Sequence, residues 1–252
     1  MSTTSWYARR KKHKNALLQL FCLPYAGGSA AIYRKWEALL APRIEVIAIE
    51  LPGRGVRHGD TPFTALEPLV RALVPELSAD LEQPFAIFGH SMGALIGYEL
   101  ARALLVSCGK QPRRLFVSGR RAPGWPDSRK PTYDLPDREF MAELRRLQGT
   151  PADLLADAEL MSLMLPMLRA DFQLTETYTH QPGPLLNCPV SAFGGIMDAD
   201  VGTDALAAWR AVSTGPFTVR MFEGDHFFIH SAAQSIVRMI ELDLHPLSSR
   251  GQ

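Results

Sequence analysis

Short, nearly unbroken apolar runs alternate along the chain with longer stretches in which apolar positions recur every three or four residues. The runs fall at 17–23, 45–50, 85–89, 114–118, 189–194 and 218–222, most of them bounded by Pro or Gly. Runs of this length without polar alternation are the signature of strands covered on both faces. Helical patterns lie between them at 31–40, 66–81, 93–106, 203–212 and 231–244. Alternation of strand and helix predicts an α/β fold: a mostly parallel sheet flanked by helices and joined by right-handed crossovers.

One interval breaks the rhythm. About seventy residues separate Ser118 from Pro189, whereas a parallel crossover needs little more than a dozen. The interval opens with Arg121-Ala122-Pro123-Gly124-Trp125-Pro126, a loop by its Pro and Gly content. Helical segments are predicted at 137–147, 153–164 and 166–178. The span 121–185 is therefore expected to be an insertion at the carboxyl edge of the sheet, where a helical lid over an active site would sit.

The remaining composition narrows the function. A chain of 252 residues suits one α/β domain, taken here as residues 16–252 behind a solvated basic tail at 1–15 that carries Arg9, Arg10, Lys11, Lys12 and Lys14. The basic run followed by apolar residues loosely imitates a secretory signal, but it leads straight into Pro24-Tyr25-Ala26-Gly27-Gly28 without a fitting cleavage site. No run approaches the roughly 20 apolar residues of a membrane span. A formal net charge of +1 gives no reason to expect nucleic acid or a membrane surface as partner. Cys22, Cys108 and Cys188 make an odd count without metal-ligand spacing, which points to reduced thiols and a cytoplasmic setting. Neither a metal nor an organic cofactor is implied, and a monomer is expected.

The chemistry begins at Gly89-His90-Ser91-Met92-Gly93. This is G-x-S-x-G, preceded by the apolar run at 85–88 and followed by a helical pattern. Strand, tight turn and helix are the context that exposes a nucleophilic serine in the α/β-hydrolase fold. The flanking glycines let strand and helix close on each other, and the helix N-terminus favours developing negative charge. Ser91 is thus the candidate nucleophile, and a serine hydroxyl needs a base.

In this fold the chain order is Ser, then acid, then His. His226, in Glu223-Gly224-Asp225-His226-Phe227-Phe228, follows the last strand candidate on a Gly-containing loop, and it is the chosen base over His90, His180, His230 and His245. After the preceding strand, Gly194-Gly195-Ile196-Met197-Asp198-Ala199-Asp200 offers two acids. Asp198 is nearer the strand end and is preferred, with Asp200 as rival; Asp225 is expected to be structural because neighbouring side chains diverge. The acid would fix the imidazole tautomer and stabilise the imidazolium. Two backbone N–H groups should face the oxyanion: that of Met92, and that of Ala26 in the Gly-rich loop after the first strand.

Four motifs in order, Leu23-Pro24-Tyr25-Ala26-Gly27-Gly28, Leu51-Pro52-Gly53-Arg54-Gly55, Phe88-Gly89-His90-Ser91-Met92-Gly93-Ala94 and Gly224-Asp225-His226-Phe227-Phe228, together with 165–172 in the insertion, resemble the type II thioesterases of polyketide synthases and non-ribosomal peptide synthetases. The resemblance spans about Leu20 to Met239. It implies a Ser91–His226–Asp198 triad and an editing role, in which wrong or stalled acyl groups are removed from the phosphopantetheine arm of a carrier protein. The family commonly shows G-G-D-x-D; here Ile196 stands at the first acidic position and Asp198 at the second. An esterase or lipase-like hydrolase, or an acyltransferase, acting on free small acyl substrates stays open, as does a non-enzymatic binding member of the fold. Met161, Met164 and Met167 would either pack the insertion or form a pliable apolar wall, Trp36 and Trp125 would pack or line a channel, and Arg113-Arg114 and Arg120-Arg121 border the insertion as docking candidates.

Overall fold

A computed structural model describes residues 5–7, 15–81, 83–126, 129–147, 149 and 152–248. Its strands are β1 (Leu18–Leu23), β2 (Ile44–Ala48), β3 (Phe85–His90), β4 (Leu115–Ser118), β5 (Val190–Gly195) and β6 (Phe217–Phe222). They form one sheet in the order β2-β1-β3-β4-β5-β6, with every neighbouring pair parallel. Every residue of β1 to β5 is buried, which is why these segments read as unbroken apolar runs. The edge strand β6 is mostly half-buried, and its sequence alternates accordingly.

The helices are α1 (Arg34–Leu40), α2 (Leu66–Asp80), α3 (Met92–Cys108), α4 (Asp137–Leu147), α5 (Ala152–Ala156), α6 (Ala158–Glu176), α7 (Thr203–Ala207), α8 (Phe228–Ser231) and α9 (Ala233–Ser248). On one face of the sheet Leu69, Leu73 and Leu77 of α2 pack with Leu95, Leu100 and Leu104 of α3. On the other, Trp36 and Leu40 of α1 pack with Ile236, Ile240 and Leu244 of α9. Trp36 is fully buried against Phe88 and Tyr33 and is a core residue. Among the described residues no helix is long and apolar enough to cross a membrane.

Helices α4, α5 and α6 fall between β4 and β5 and carry a small core of their own, with Phe140, Leu144, Leu155, Met161, Met167 and Leu168 buried together. Its boundaries differ from the sequence pattern in two respects. The helix expected at 153–164 is broken at Asp157, between α5 and α6. In place of a break before Pro166, α6 runs through the proline. Asp157 caps the helix by accepting from the Leu160 N–H at 3.0 Å. Met161, Met167, Leu168, Asp171 and Leu174 bury one continuous face, and that burial outweighs the N–H lost at the proline.

The N-terminal span is not all tail. Arg9, Arg10, Lys11, Lys12 and Lys14 lie outside the described residues. Trp6 and Tyr7, however, pack onto the domain. Tyr7 bridges Ile49 antiparallel, the Glu50 N–H donates to Trp6 O at 2.8 Å, and the Arg57 guanidinium covers the Trp6 ring at 4.0 Å. An indole has enough apolar surface to seek cover even from a charged neighbourhood.

At the β3–α3 turn backbone packs directly on backbone. A Cβ at Gly93 would press into the Leu23 carbonyl and approach Pro24 O at 2.8 Å, both backbone atoms at the end of β1. We expect Gly93→Ala to cost ~2–3 kcal/mol and lower Tm by about 5–10 °C. Gly59, with nothing within 4 Å of an added Cβ, should tolerate alanine within ~0.5 kcal/mol; thermal denaturation followed by circular dichroism measures both.

Candidate active site

The carboxyl ends of β1, β3, β5 and β6 open onto one edge of the sheet, and the candidate residues sit on the loops that leave them. Ser91, between β3 and α3, has φ 53° and ψ −113° and is the one non-glycine with positive φ among the described residues. Such a conformation is costly for an L-residue. It is held by the Ser91 N–H donating to Ser118 O at 2.7 Å and by Ser91 O accepting from Ala94 N at 3.0 Å. Gly89 sits against the backbone of Gly93 and Ala94 with no room for a side chain. The hydroxyl is thereby turned off the sheet and over the N-terminus of α3.

His226 reaches this hydroxyl from the loop after β6. Its Nε2 lies 3.1 Å from Ser91 Oγ and its Nδ1 lies 2.7 Å from Asp198 Oδ2. A carboxylate only accepts, so Nδ1 carries the proton and the Nε2 lone pair faces the serine O–H. Asp198, whose side chain is 1% exposed, has its other oxygen filled by the backbone N–H groups of Asp200 and Val201 at 2.9 and 3.1 Å. Both of its oxygens are engaged, and its orientation toward His226 is fixed. The β5 and β6 loops touch directly: a Cβ at Gly195 would strike the Asp225 carbonyl.

Behind this chain lies a second imidazole. His90 is fully buried; its Nε2 donates to the His226 carbonyl at 2.9 Å, and its Nδ1 accepts from Ser118 Oγ at 2.9 Å. Burial, reinforced by the charge of His226, pushes its pKa well below the ordinary imidazole value. The ring stays neutral and serves as a strut from β4 to the His226 backbone. On the outer side Tyr25 Oη and His230 Nε2 are 2.8 Å apart, and Tyr25 packs edge-on against Phe227 at 5.0 Å.

The loop after β1 forms the opposite wall. A turn closes at 25–28 through Gly28 N–H donating to Tyr25 O at 2.9 Å, and Gly27 takes φ +78°, the left-handed value that a type II turn requires at its third residue. Ala26 and Met92 line the same cavity as Ser91 and His226. Among the described residues neither backbone N–H donates to a protein acceptor. The cavity, about 340 Å³, is roofed by Leu144, Leu168 and Phe172 of the insertion.

The thioesterase domain family matches residues 18–244. The chain belongs to the thioesterase family. The gramicidin S biosynthesis protein GrsT of Aneurinibacillus migulanus is 41% identical over 93% of this chain and 92% of its own length. The thioesterase PikA5 of Streptomyces venezuelae is 37% identical over 98% of this chain and 87% of its own. The solved structure of the type II thioesterase BorB, from the borrelidin biosynthetic cluster, superposes with a TM-score of 0.86 at 40% identity, covering 94% of this chain and 96% of BorB. The likeness to type II thioesterases read from the motifs, and the α/β-hydrolase architecture, are borne out.

Within the thioesterase the rival residues have other tasks. Asp200 lines the cavity but turns away from His226, pairing with Arg129 at 3.2 Å and Arg146 at 3.5 Å. Asp225 Oδ1 accepts from Phe227 N at 2.8 Å, a turn contact ahead of α8. His180 bonds Tyr178 at 3.1 Å. Met161, Met164 and Met167 pack the insertion and do not line the cavity; Leu168 and Phe172, one or more residues further round the helix, do. Trp125 is partly exposed and outside the cavity lining. Arg114 bonds Ser191 Oγ at 2.9 Å in the core of the sheet edge, whereas Arg120 and Arg121 reach the cavity. Cys22 and Cys188 are buried and Cys108 exposed, all as free thiols. Among the described residues no group of three or more His, Cys, Asp or Glu side chains could hold a metal ion.

His90, expected to pack beside Ser91 or line the pocket, is buried beside the site, whereas nothing in the sequence assigned a role to Ser118, Arg54 or Asp171. The only signal for the last two was a charge set inside a glycine motif and another inside an apolar helix face.

The depressed pKa of His90 has a stability consequence. Below the unfolded value of about 6.5 the unfolded chain binds a proton that the folded chain refuses. Stability is therefore present above that pH and lost as pH falls, by up to ~1.4 kcal/mol per pH unit for this one group. His230, also lowered by burial, acts in the same direction. Urea denaturation between about pH 5 and 7.5 should show this slope, and His90→Gln should flatten it.

Proposed function

We propose that Ser91, His226 and Asp198 form the catalytic triad of a type II thioesterase that removes acyl groups from the phosphopantetheine arm of carrier proteins. The observation that carries this reading is the hydrogen-bond chain from Asp198 through His226 to Ser91, closed at 2.7 and 3.1 Å beneath a covered cavity. Ser91 Oγ attacks the thioester carbonyl while His226 Nε2 takes its proton. The tetrahedral oxyanion lies against the N–H groups of Ala26 and Met92, and α3 adds the positive end of its dipole. Collapse expels the pantetheine thiolate, which takes the proton from His226. Water then attacks the acyl-serine with His226 again as base; the new tetrahedral adduct breaks its bond to Ser91 Oγ, which takes the proton back from His226, and the carboxylic acid leaves. Asp198 keeps the ring in the productive tautomer and stabilises its protonated form.

A thioester already has a good leaving group, so selection falls to access. The span 121–185 is read as a lid, with Leu168 and Phe172 against the acyl chain and Arg120, Arg121 and Lys130 near the mouth, where they suit the phosphate of the arm. Relatives named for gramicidin S biosynthesis and the borrelidin cluster support an editing role on carrier-bound chains. Free thiols at Cys22, Cys108 and Cys188 fit the cytoplasm.

The test is hydrolysis of a panel of acylated carrier proteins beside free coenzyme A thioesters and simple oxygen esters. We expect the carrier-bound thioesters to turn over fastest; preference for a free oxygen ester would overturn the carrier assignment, and acyl transfer to an added alcohol or amine would reassign the enzyme as a transferase. Ser91→Ala should lose at least ~10⁴-fold in kcat with an unchanged circular dichroism spectrum. Asp198→Asn should lose ~10⁴-fold by favouring the wrong tautomer, whereas Asp200→Asn should stay within about tenfold; the reverse ranking would reassign the acid.

A further inference from the structure

An ion pair outside the triad joins α6 to the loop after β2, and both partners hold the loop after β1. Arg54 and Asp171 are 6% and 2% exposed. They meet in a two-armed contact, Nη2 to Oδ1 at 2.7 Å and Nη1 to Oδ2 at 2.8 Å. Each partner also grips the same turn. Asp171 Oδ2 accepts from the Gly27 N–H at 2.8 Å, and Arg54 Nη1 donates to the Gly28 carbonyl at 3.0 Å. Leu168, one helical turn before Asp171, packs so closely on Gly27 that an added Cβ would lie 2.6 Å from its Cδ2.

The geometry bears on Ala26. In a type II turn the central peptide is flipped relative to type I, and the N–H of that central peptide, Gly27, is the one Asp171 accepts. The Tyr25 carbonyl is held by Gly28 N–H, and in a planar trans peptide the Ala26 N–H must point to the opposite side. The turn is therefore held by three hydrogen bonds, two of them from the ion pair.

We propose that Arg54 and Asp171 are positioning residues for the thioesterase reaction. They hold the 25–28 turn so that Ala26 N–H faces the oxyanion, and they make that arrangement conditional on α6 being seated. The inference rests on the reading of Ala26 as an oxyanion donor. A buried carboxylate or guanidinium without its partner is strongly disfavoured. Lifting α6 would therefore separate and hydrate both groups and release the turn, so that the full oxyanion site exists only when the insertion is down.

Asp171→Asn and Arg54→Lys test this. For each, thioester hydrolysis is measured together with affinity for an acyl-pantetheine trifluoromethyl ketone, which Ser91 would convert to a tetrahedral oxyanion, and for the matching unreactive thioether. Loss of a whole oxyanion donor lowers kcat ~10²–10³-fold, so a misaimed one should lower it ~10–100-fold with KM within about threefold. Ketone affinity should fall in step while thioether affinity holds. Folded variants with wild-type kcat and ketone affinity, or a loss confined to KM or to thermal stability, would overturn the proposal. If Asp171→Asn does not fold, Arg54→Lys, which keeps the charge and one arm, carries the test; failure of both to fold counts against a positioning role. Should the triad reading itself be wrong, the wild type would show no Ser91-dependent turnover, an outcome separate from any of these.

Discussion

Where β3 turns into α3 the backbones approach so closely that neither Gly89 nor Gly93 has space for a β-carbon, and the serine between them is driven to positive φ. Strain of this kind costs on the order of 1–3 kcal/mol and persists only where the surroundings over-determine it. Here they do: β3 and β4 are buried throughout, and the turn is bonded to Ser118 and Ala94. The same compression that strains Ser91 lifts its hydroxyl from the sheet and puts the Met92 N–H beside it at a helix N-terminus. The lifted hydroxyl and the helix N-terminus beside it come from one steric fact.

The remaining groups are brought to that hydroxyl by loops that hold one another. Asp198 spends one oxygen on His226 and the other on its own loop. His90 ties the His226 backbone to Ser118 on β4. The result is a line of polar groups, each with a partner, in which a neutral buried histidine braces the one that faces Ser91. A polar network in a low-dielectric interior rigidifies when every member is satisfied and is costly when one is not. That asymmetry explains why the site tolerates so much buried polarity beside Phe88, Phe193 and Phe228.

The insertion belongs to the site in the same physical sense. Its helix α6 supplies apolar cover through Leu168 and Phe172 and a charge through Asp171, whose partner Arg54 lies 117 residues earlier. Long sequence separation makes this contact dependent on the finished sheet, since β1 and β2 must be laid down before Gly27 and Arg54 face α6.

Much of this was legible in the chain itself. Unbroken apolar runs marked strands buried on both faces, and G-x-S-x-G after such a run marked the elbow, because local steric needs dictate local residue types. Chain order and loop position singled out His226 and Asp198. What could not be read locally was the use of groups whose partners are distant: Asp198 over Asp200 depends on which side of one loop turns toward β6, the methionines of α6 face inward while Leu168 and Phe172 face the cavity, Trp6 belongs to the core although it stands ahead of a basic run, and α6 passes through Pro166 because its buried face holds it. Sequence alone determined which segments became strands and where the positive-φ serine of the turn stood, since those depend on neighbours within a few residues. Only the tertiary structure decided which carboxylate meets the imidazole and that Arg54 and Asp171 share a turn, since a pairwise contact between remote residues is set by the packing of the whole sheet.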